Sequence, residues 1–286
     1  MAGAIDIVVN LRTPKVVAAG LSPTDSGFQA KTRQASRIRG GVEIDDYLKM
    51  MDAAGIERSF LVAVRCGPQG HGKSVAVPYQ WVADVCATHP DRFSGLAGID
   101  PTRGMAQLRE LARAVEDFGF VGAHFYPHWF HMPPDAPRLY PIYAKCCDLG
   151  IPIMMQVGQN LIYQKDVRLP SVARPILLDR VAIDFPALKL IGIHIGVPWT
   201  DEMIAMARKH DTLYIGGDAY APKYWPHAFV EFAKTDGVER CLFGTDWPVI
   251  DPGRAMQEVD QLGFSAEAKD HLLRKNAVRL FGLPHD

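Results

Sequence analysis

The chain has 286 residues, of which 48% are hydrophobic and 22% charged, a composition typical of a folded globular protein. Its 31 basic and 32 acidic residues give a net charge of −1, so no overall charge bias favours binding to nucleic acid. No apolar run approaches the roughly 18 residues of a membrane helix. Five cysteines are too few, and odd in number, for a disulfide framework, so we expect a soluble, cytoplasmic protein.

The basic residues are concentrated near the N-terminus. Residues 11–42 carry six lysines and arginines and one acid, a local charge of +5, which leaves −6 for the rest of the chain. The segment is rich in Gly, Ser, Pro and Thr and has no sustained hydrophobic period, so we predict a long basic loop after the first strand. Such a loop is typical of a lid over an anionic substrate, or of a solvated loop or subunit contact.

Strand-like runs alternate with amphipathic stretches along the chain, about 36 residues per unit if eight units fill it. The predicted strands cover residues 4–10, 59–65, 93–100, 121–126, 151–156, 188–194, 212–218 and 241–246. Between them, helices are predicted, for example over residues 42–54, 104–118, 140–149 and 200–210. This alternation predicts an α/β fold, a (β/α)8 TIM barrel forming a single domain over 1–286. An open doubly wound sheet is the alternative, which the lack of an early glycine-rich phosphate loop disfavours.

The active site of such a barrel lies at the carboxyl ends of its strands. We therefore predict that the strand-end residues Asp246, His194 and His124 are catalytic. Asp218 also stands at a strand end. The predicted substrate-binding residues are Asn10, Arg12, Arg65, Tyr126, His128, Gln156, Tyr220 and Trp247.

Several strand-end motifs carry a family resemblance. They are Ile-Asp-Ile at 5–7, Gly-Ala-His-Phe-Tyr-Pro at 122–127, Leu-Gly-Ile-Pro-Ile at 149–153, Ile-His-Ile-Gly at 193–196 and Leu-Phe-Gly-Thr-Asp-Trp-Pro at 242–248. Together they resemble the amidohydrolase superfamily over nearly the whole chain. The nearest branch holds aminocarboxymuconate-semialdehyde decarboxylase, resorcylate decarboxylases and pyrone-dicarboxylate lactonase. The resemblance implies a homodimer or higher homo-oligomer.

The resemblance also locates the metal-ligand positions. Metal-dependent members carry His-x-His on strand one, a His on strand five and an Asp on strand eight. Those positions hold Val8, Asn10, Gln156 and Asp246 here, with His194 on strand six. Valine offers no ligand atom and a carboxamide oxygen is a weak ligand. We therefore predict no catalytic metal and no other cofactor.

Two further clusters could carry chemistry. His124, His128 and His131 are spaced like metal ligands, but Pro127 prevents them from sharing one helical face, so hydrogen bonding is their favoured role. Cys66 could act as a nucleophile with His71, although no third group in the sequence orients the pair.

Without a metal, protein groups must activate the nucleophile and stabilise charge. Asp246 in a dry barrel mouth would have a raised pKa and could act as a base, with His194 orienting it or protonating a leaving group. A core histidine and a turn aspartate are the structural alternatives for these two residues. Arg12, Arg65, His124 and Tyr126 are the candidates for stabilising an oxyanion.

These features favour a metal-independent hydrolase of a small, anionic, aromatic-derived lactone or activated carbonyl compound. A decarboxylase or hydratase of the same family, using His194 and Asp246 as its acid–base pair, is the first alternative. A non-catalytic relative that binds a ligand is the second. We expect a small anionic molecule as the partner, and neither nucleic acid nor a membrane.

Overall fold

The fold is a closed barrel of parallel strands. A computed structural model describes residues 3–22, 39–70, 74–161, 163–164 and 167–284. Eight strands form one sheet in chain order: β1 (Ala4–Asn10), β2 (Ile56–Ala63), β3 (Phe93–Gly98), β4 (Gly122–Phe125), β5 (Ile153–Gln156), β6 (Leu190–Ile193), β7 (Leu213–Gly217) and β8 (Cys241–Phe243). A parallel bridge between Val9 and Trp247 joins the chain after β8 to β1. The predicted (β/α)8 barrel is confirmed.

Helices cover the outer face of the barrel. They are α1 (Pro14–Ala18), α2 (Ile44–Ala54), α3 (Tyr79–Thr88), α4 (Met105–Glu116), α5 (Tyr140–Asp148), α6 (Leu178–Asp184), α7 (Thr200–Lys209), α8 (His227–Lys234), α9 (Pro252–Asp260), α10 (Ala266–Asp270) and α11 (Asn276–Phe281), with π-helical His271–Lys275 before α11. Short 3-10 turns include Pro127–Phe130 after β4 and His194–Gly196 after β6. Two small antiparallel hairpins pair Arg65–Cys66 with Val75–Ala76, and Tyr163–Gln164 with Val167–Arg168.

The sequence explains the two kinds of element. In α2 the buried residues Tyr47, Met51 and Ala54 recur at helical spacing, and the helix ends where Gly55 adopts a left-handed conformation. All four residues of β5 are buried, because the helices cover one face of the barrel and its interior fills the other. This double burial accounts for the nearly continuous apolar character of the strands.

Some predicted boundaries differ from the structure. β2 begins at Ile56 and ends at Ala63, so Arg65 lies in a hairpin after the strand. The predicted loop over 11–42 contains the short helix α1, because Thr13 caps its N-terminus and Pro14 is preorganised for the first turn. Residues 23–38 of that loop, with three of its basic residues, lie outside the described residues. The closing lid and the domain limits therefore stay predictions.

No helix in the described part of the chain has both the length and the apolar character needed to cross a membrane.

Candidate active site

A hydrogen-bonded amide joins the ends of the first and last strands. Asn10 is the last residue of β1, and its Nδ2 donates to Oδ1 of Asp246 at 2.8 Å and to the carbonyl oxygen of Trp247 at 2.9 Å. The Tyr126 hydroxyl donates to Oδ1 of Asn10 at 3.4 Å. The two acceptors at Nδ2 and the donor at Oδ1 fix the orientation of the Asn10 amide.

His194 lies at the centre of the neighbouring strand ends. Its Nδ1 is 3.1 Å from Nε2 of Gln156, the last residue of β5. Its Nε2 is 3.5 Å from Oδ2 of Asp218 and 3.9 Å from Oδ2 of Asp246. The Asp218 carboxylate also accepts the His194 backbone N–H through Oδ1 at 2.8 Å. The ends of β5, β6, β7 and β8 therefore meet at one point.

The backbone is strained where these side chains meet. His194 has φ 69°, Ile195 φ 59° and Asp246 φ 49°, all in the left-handed region. Residues with a Cβ rarely adopt this conformation, and a β-branched residue such as Ile195 does so at a steric cost. Strain of this kind is concentrated at functional sites, which supports a functional role for the cluster.

Burial sets the protonation states of the cluster. Burial raises the pKa of Asp246 to about 7, although the hydrogen bond from Asn10 opposes the shift. Burial and the charge of Asp246 raise the pKa of Asp218 well above its ordinary value. Burial, with smaller contributions from the neighbouring His124 and His128, lowers the pKa of His194 to about 3. Near neutral pH, the protonated and ionised forms of Asp246 are therefore both populated, whereas His194 is neutral.

A third buried carboxylate ties β1 to the segment after β8. Asp6 accepts hydrogen bonds from the Thr245 backbone N–H at 3.0 Å and from the Thr245 hydroxyl at 2.5 Å. Burial raises the pKa of Asp6 to about 7, although these hydrogen bonds oppose the rise. Asp6 therefore holds the residue directly before Asp246 in place.

Two further histidines belong to the same cluster. Burial lowers the pKa of His124 to about 3 and that of His128 to about 4, so both are neutral at physiological pH. The Val172 backbone N–H donates to Nδ1 of His128 at 3.1 Å, so Nε2 of the neutral ring carries the hydrogen. His124 makes an edge contact with the ring of Tyr126, 4.3 Å between centroids.

Several buried polar atoms of this cluster have no hydrogen-bond partner among the described residues. They are Nδ1 and Nε2 of His124, Nε2 of His128, Oε1 of Gln156, Nε2 of His194 and Oδ2 of Asp218. Each such atom costs about 1–3 kcal/mol when it is left unpaired. Their concentration at the barrel mouth is typical of a site that a ligand or water satisfies.

Arg65 and Trp247 point away from the cluster. Arg65 forms an ion pair with Glu110 of α4 at 3.3 Å, and its guanidinium lies 4.9 Å from the ring centroid of Tyr79. Trp247 stacks on Tyr47 of α2 with 5.4 Å between ring centroids. Both side chains pack between the barrel and its outer helices, and their role in substrate binding stays a prediction.

Arg12 and Tyr220 lie near the rim. The Arg12 guanidinium is largely buried and donates to the Ser22 hydroxyl at 2.6 Å. The Tyr220 hydroxyl accepts from Nε2 of Gln159 at 3.4 Å, and its side chain is half-buried. These contacts leave their substrate-binding roles as predictions.

Two residues of the site, Asp218 and Cys66, were not among the predicted catalytic and substrate-binding residues. Asp218 follows the paired glycines that end β7, and this strand-end position was the available signal. Burial and the charge of Asp246 raise the pKa of Cys66 well above its ordinary value. Cys66 is therefore a thiol rather than a thiolate, which disfavours the nucleophile hypothesis. His71, its suggested partner, lies outside the described residues.

The positions that carry metal ligands in the metal-dependent relatives hold other side chains here, with different hydrogen bonds. Val8 has no ligand atom, and the Asn10 amide turns its nitrogen towards Asp246. Gln156 donates to Nδ1 of His194, which places the ring hydrogen on Nε2. These residues therefore do not fit the metal centre that the resemblance implies.

Three other side chains at the strand ends bring potential ligand atoms close together. His194, Asp218 and Asp246 each bring one potential ligand atom within 4.8 Å of the others, the one such group in the described part of the chain. With its hydrogen on Nε2, however, His194 has no lone pair facing the two carboxylates. With the Gln156 amide in this orientation, the set offers a cation only the oxygens of Asp218 and Asp246. His131 is exposed, so the suggested cluster of His124, His128 and His131 does not form.

The barrel and the strand-end cluster define a protein of the amidohydrolase class. Residues 30–283 match the family described as Amidohydrolase, and the chain belongs to that family. The sequence-based recognition of the amidohydrolase-2 branch is confirmed.

Three known proteins illustrate the similarity. The γ-resorcylate decarboxylase of Rhizobium radiobacter is 38% identical over an alignment 287 positions long, which covers 84% of this chain and 87% of that protein. An uncharacterised TIM-barrel protein of Bordetella bronchiseptica is 27% identical with a TM-score of 0.77, covering 98% of this chain and 99% of that one. A dihydroxybenzoic acid decarboxylase of Polaromonas sp. JS666, solved with bound manganese and 2-nitroresorcinol, has a TM-score of 0.72 at 19% identity, covering 100% and 98%.

The similarities favour the lyase alternative over the hydrolase assignment. The γ-resorcylate decarboxylase is a lyase, and the lactone hydrolase inferred from the sequence finds no support among these proteins. The enzyme family is established, and the reaction class that its relatives favour is decarboxylation of aromatic acids.

Proposed function

We propose that this chain is a non-oxidative decarboxylase of a small aromatic carboxylic acid. The observation that carries the proposal is the buried Asp246 carboxyl, whose pKa of about 7 makes it a proton donor near neutrality, beside a neutral His194. A non-oxidative decarboxylase needs such an acid, because a proton must replace the departing carboxylate on carbon. The similarity to γ-resorcylate decarboxylase supports the substrate class.

The reaction follows from this arrangement. Asp246 transfers a proton from Oδ2 to the ring carbon that bears the carboxylate. The bond between that carbon and the carboxylate then breaks, carbon dioxide leaves, and the electron pair of the bond restores the aromatic ring. Asp246 regains its proton from solvent. No oxidant or reductant is required, because the electron pair of the broken bond stays on the ring.

The neutral imidazoles would bind the substrate oxygens. His194 and His128 each present an Nε2–H donor, and neither Nε2 atom has a hydrogen-bond partner among the described residues. A hydroxyl or carboxylate oxygen of the substrate would satisfy them, and each such hydrogen bond replaces one lost to burial. The ring of Tyr126, buried beside them, offers an apolar surface to a flat substrate.

Burial of the mouth would also promote loss of carbon dioxide. A carboxylate that leaves water for a dry site loses hydration, whereas carbon dioxide is neutral and needs little. Asp218 and Asp246 lie close to His194, and burial raises the pKa of both carboxyls, so the site favours neutral groups and thereby conversion of the substrate carboxylate to neutral carbon dioxide.

Product analysis in labelled water tests the proposal. The chain is incubated with γ-resorcylate and a panel of other hydroxybenzoates in deuterium oxide. We expect carbon dioxide to be released and deuterium to appear on the ring carbon that carried the carboxylate, with no product from the Asp246→Asn variant. Incorporation of oxygen-18 from labelled water into a product carboxylate, with lactones or esters as substrates, would instead establish hydrolysis. Tight binding without turnover over both panels would favour the non-catalytic alternative.

A further inference from the structure

Two carboxamides stand where metal-binding relatives would carry histidines. Asn10 ends β1 and Gln156 ends β5, and both are at positions that the family resemblance assigns to metal ligands. Each carboxamide donates a hydrogen bond to one member of the proposed acid–base pair. The two contacts lie at the same end of the barrel and reach different residues, Asp246 and His194, whose side chains are 3.9 Å apart.

The Asn10 contact distinguishes the two oxygens of Asp246. Nδ2 of Asn10 donates to Oδ1 at 2.8 Å, and the Trp247 carbonyl holds the same amide nitrogen at 2.9 Å. Oδ1 is therefore occupied by an N–H donor and is a poor position for a second hydrogen. A protonated Asp246 carries its hydrogen on Oδ2, which is the oxygen 3.9 Å from His194 Nε2.

The Gln156 contact distinguishes the two tautomers of His194. An amide N–H can only donate, so Nδ1 of His194, 3.1 Å away, is the acceptor and carries no hydrogen. The hydrogen of the neutral ring is then on Nε2, which faces Asp218 at 3.5 Å. Turning the Gln156 amide over would reverse this, placing the hydrogen on Nδ1 and leaving a lone pair on Nε2.

We propose that Asn10 and Gln156 are positioning residues that take over the orienting role of a metal ion: Asn10 directs the Asp246 proton to Oδ2, and Gln156 holds His194 as the Nε2–H tautomer. The two hydrogens are then carried by atoms that lie 3.9 Å apart at the strand ends. The catalytic meaning of this arrangement rests on the proposed decarboxylation, whereas the tautomer of His194 and the affinity for a metal are measured on the free protein.

The tautomer is measured by nitrogen-15 NMR of the free, full-length chain labelled at histidine. The His194 signals are assigned from their disappearance in His194→Asn. We expect the chemical shifts of an Nε2–H imidazole in the natural sequence. Gln156→Glu offers only an acceptor to Nδ1, so His194 should change to the Nδ1–H tautomer. Gln159→Glu is the matched control, because its side chain bonds to Tyr220, and it should leave the His194 signals unchanged.

Two NMR results would overturn the proposal. One is an Nδ1–H tautomer in the natural sequence, which would leave Nε2 free to hold a cation. The other is a His194 tautomer that Gln156→Glu does not change. Neither result depends on knowing the substrate, so a failure to find decarboxylation leaves this measurement decisive.

Metal binding is measured on the same protein by titration calorimetry with manganese chloride, after removal of metals by a chelator. We expect no stoichiometric binding at micromolar manganese. A triple variant, Val8→His, Asn10→His and Gln156→His, restores the imidazole ligands of the resembled centre and is expected to bind manganese. Tight one-to-one binding by the natural sequence would contradict replacement of the metal by the two carboxamides.

The positioning role of Asn10 is separable from a structural role by kinetics. With a hydroxybenzoate that is turned over, Asn10→Leu should lower kcat by about tenfold, because the Asp246 carboxyl is no longer oriented, with KM little changed. Asn10→Gln, which keeps the amide on a longer side chain, should recover part of kcat. An unchanged kcat in Asn10→Leu, or an equal loss of kcat in both variants, would contradict orientation through the amide.

Discussion

Asn10 and Asp246 are hydrogen-bonded across the seam of the barrel, Nδ2 to Oδ1, over 2.8 Å. They are 236 residues apart in sequence, yet this contact joins the carboxyl end of β1 to the turn after β8. Asp6 of β1 also holds this turn, because its carboxylate accepts a hydrogen bond from the Thr245 hydroxyl. The acid of the proposed reaction is therefore supported on both sides by residues of the first strand.

Replacing the carboxyl of Asp246 should abolish turnover while preserving the fold. Asp246→Asn keeps Oδ1 as an acceptor for Asn10 but has no acidic proton, and loss of a general acid costs about 100-fold or more in kcat. The measurement is kcat on a hydroxybenzoate, with circular dichroism and thermal unfolding as checks on folding. Asp236→Asn, at an exposed ion pair with Arg208, is the control and should retain full activity. Half or more of the activity in Asp246→Asn would remove this residue from the mechanism.

The pH profile should separate decarboxylation from hydrolysis. The folded-state pKa of Asp246 is raised to about 7, so the protonated acid is present below that pH and is lost as the pH rises through it. For decarboxylation we expect kcat/KM to fall about tenfold per pH unit above about 7. A hydrolase that used Asp246 as a base would show the opposite limb, with kcat/KM rising through the same range. The pKa of His194, about 3, adds no limb near neutrality.

His128 should contribute to substrate binding through its unpartnered Nε2–H. His128→Leu removes this donor and also the acceptor for the Val172 N–H. We expect KM to rise about tenfold, the equivalent of one lost hydrogen bond, with a smaller change in kcat. His131→Ala, an exposed histidine on the same segment, is the matched control and should leave both constants unchanged. Equal KM values for the two variants would place His128 outside the binding site.

A substitution of Arg65 tests the prediction that this residue binds the substrate. Its guanidinium is engaged by Glu110 and lies over Tyr79, so Arg65→Met should lower the free energy of unfolding by about 1 kcal/mol, as for a partly exposed ion pair. We expect kcat and KM to stay within twofold of the natural enzyme. Chemical denaturation gives the first quantity and steady-state kinetics the second. A KM raised tenfold or more would support the predicted role of Arg65 in substrate binding.

The fold was accessible from the sequence because its signals are local. Buried strands such as β5 are apolar on both faces, and helices such as α2 bury residues at helical spacing, so the eightfold alternation can be read without knowing which elements touch. The strand-end rule then located His194, Asp246, His124 and Gln156 correctly in one cluster. Boundaries were less accurate: β2 ends two residues before Arg65, which therefore packs against α4.

The sequence alone determined, through its composition, that the chain is globular, through the alternation of strand-like and helical stretches that it is α/β, and through its motifs its family. Only the tertiary structure decided which atoms face each other. Asp218 and Cys66 lie near His194 and Asp246 because distant parts of the chain converge at the barrel mouth. Arg65 and Trp247 instead contact residues of the outer helices. The protonation of Asp246 and the tautomer of His194 depend on burial and on hydrogen bonds between strands, which a one-dimensional sequence does not contain.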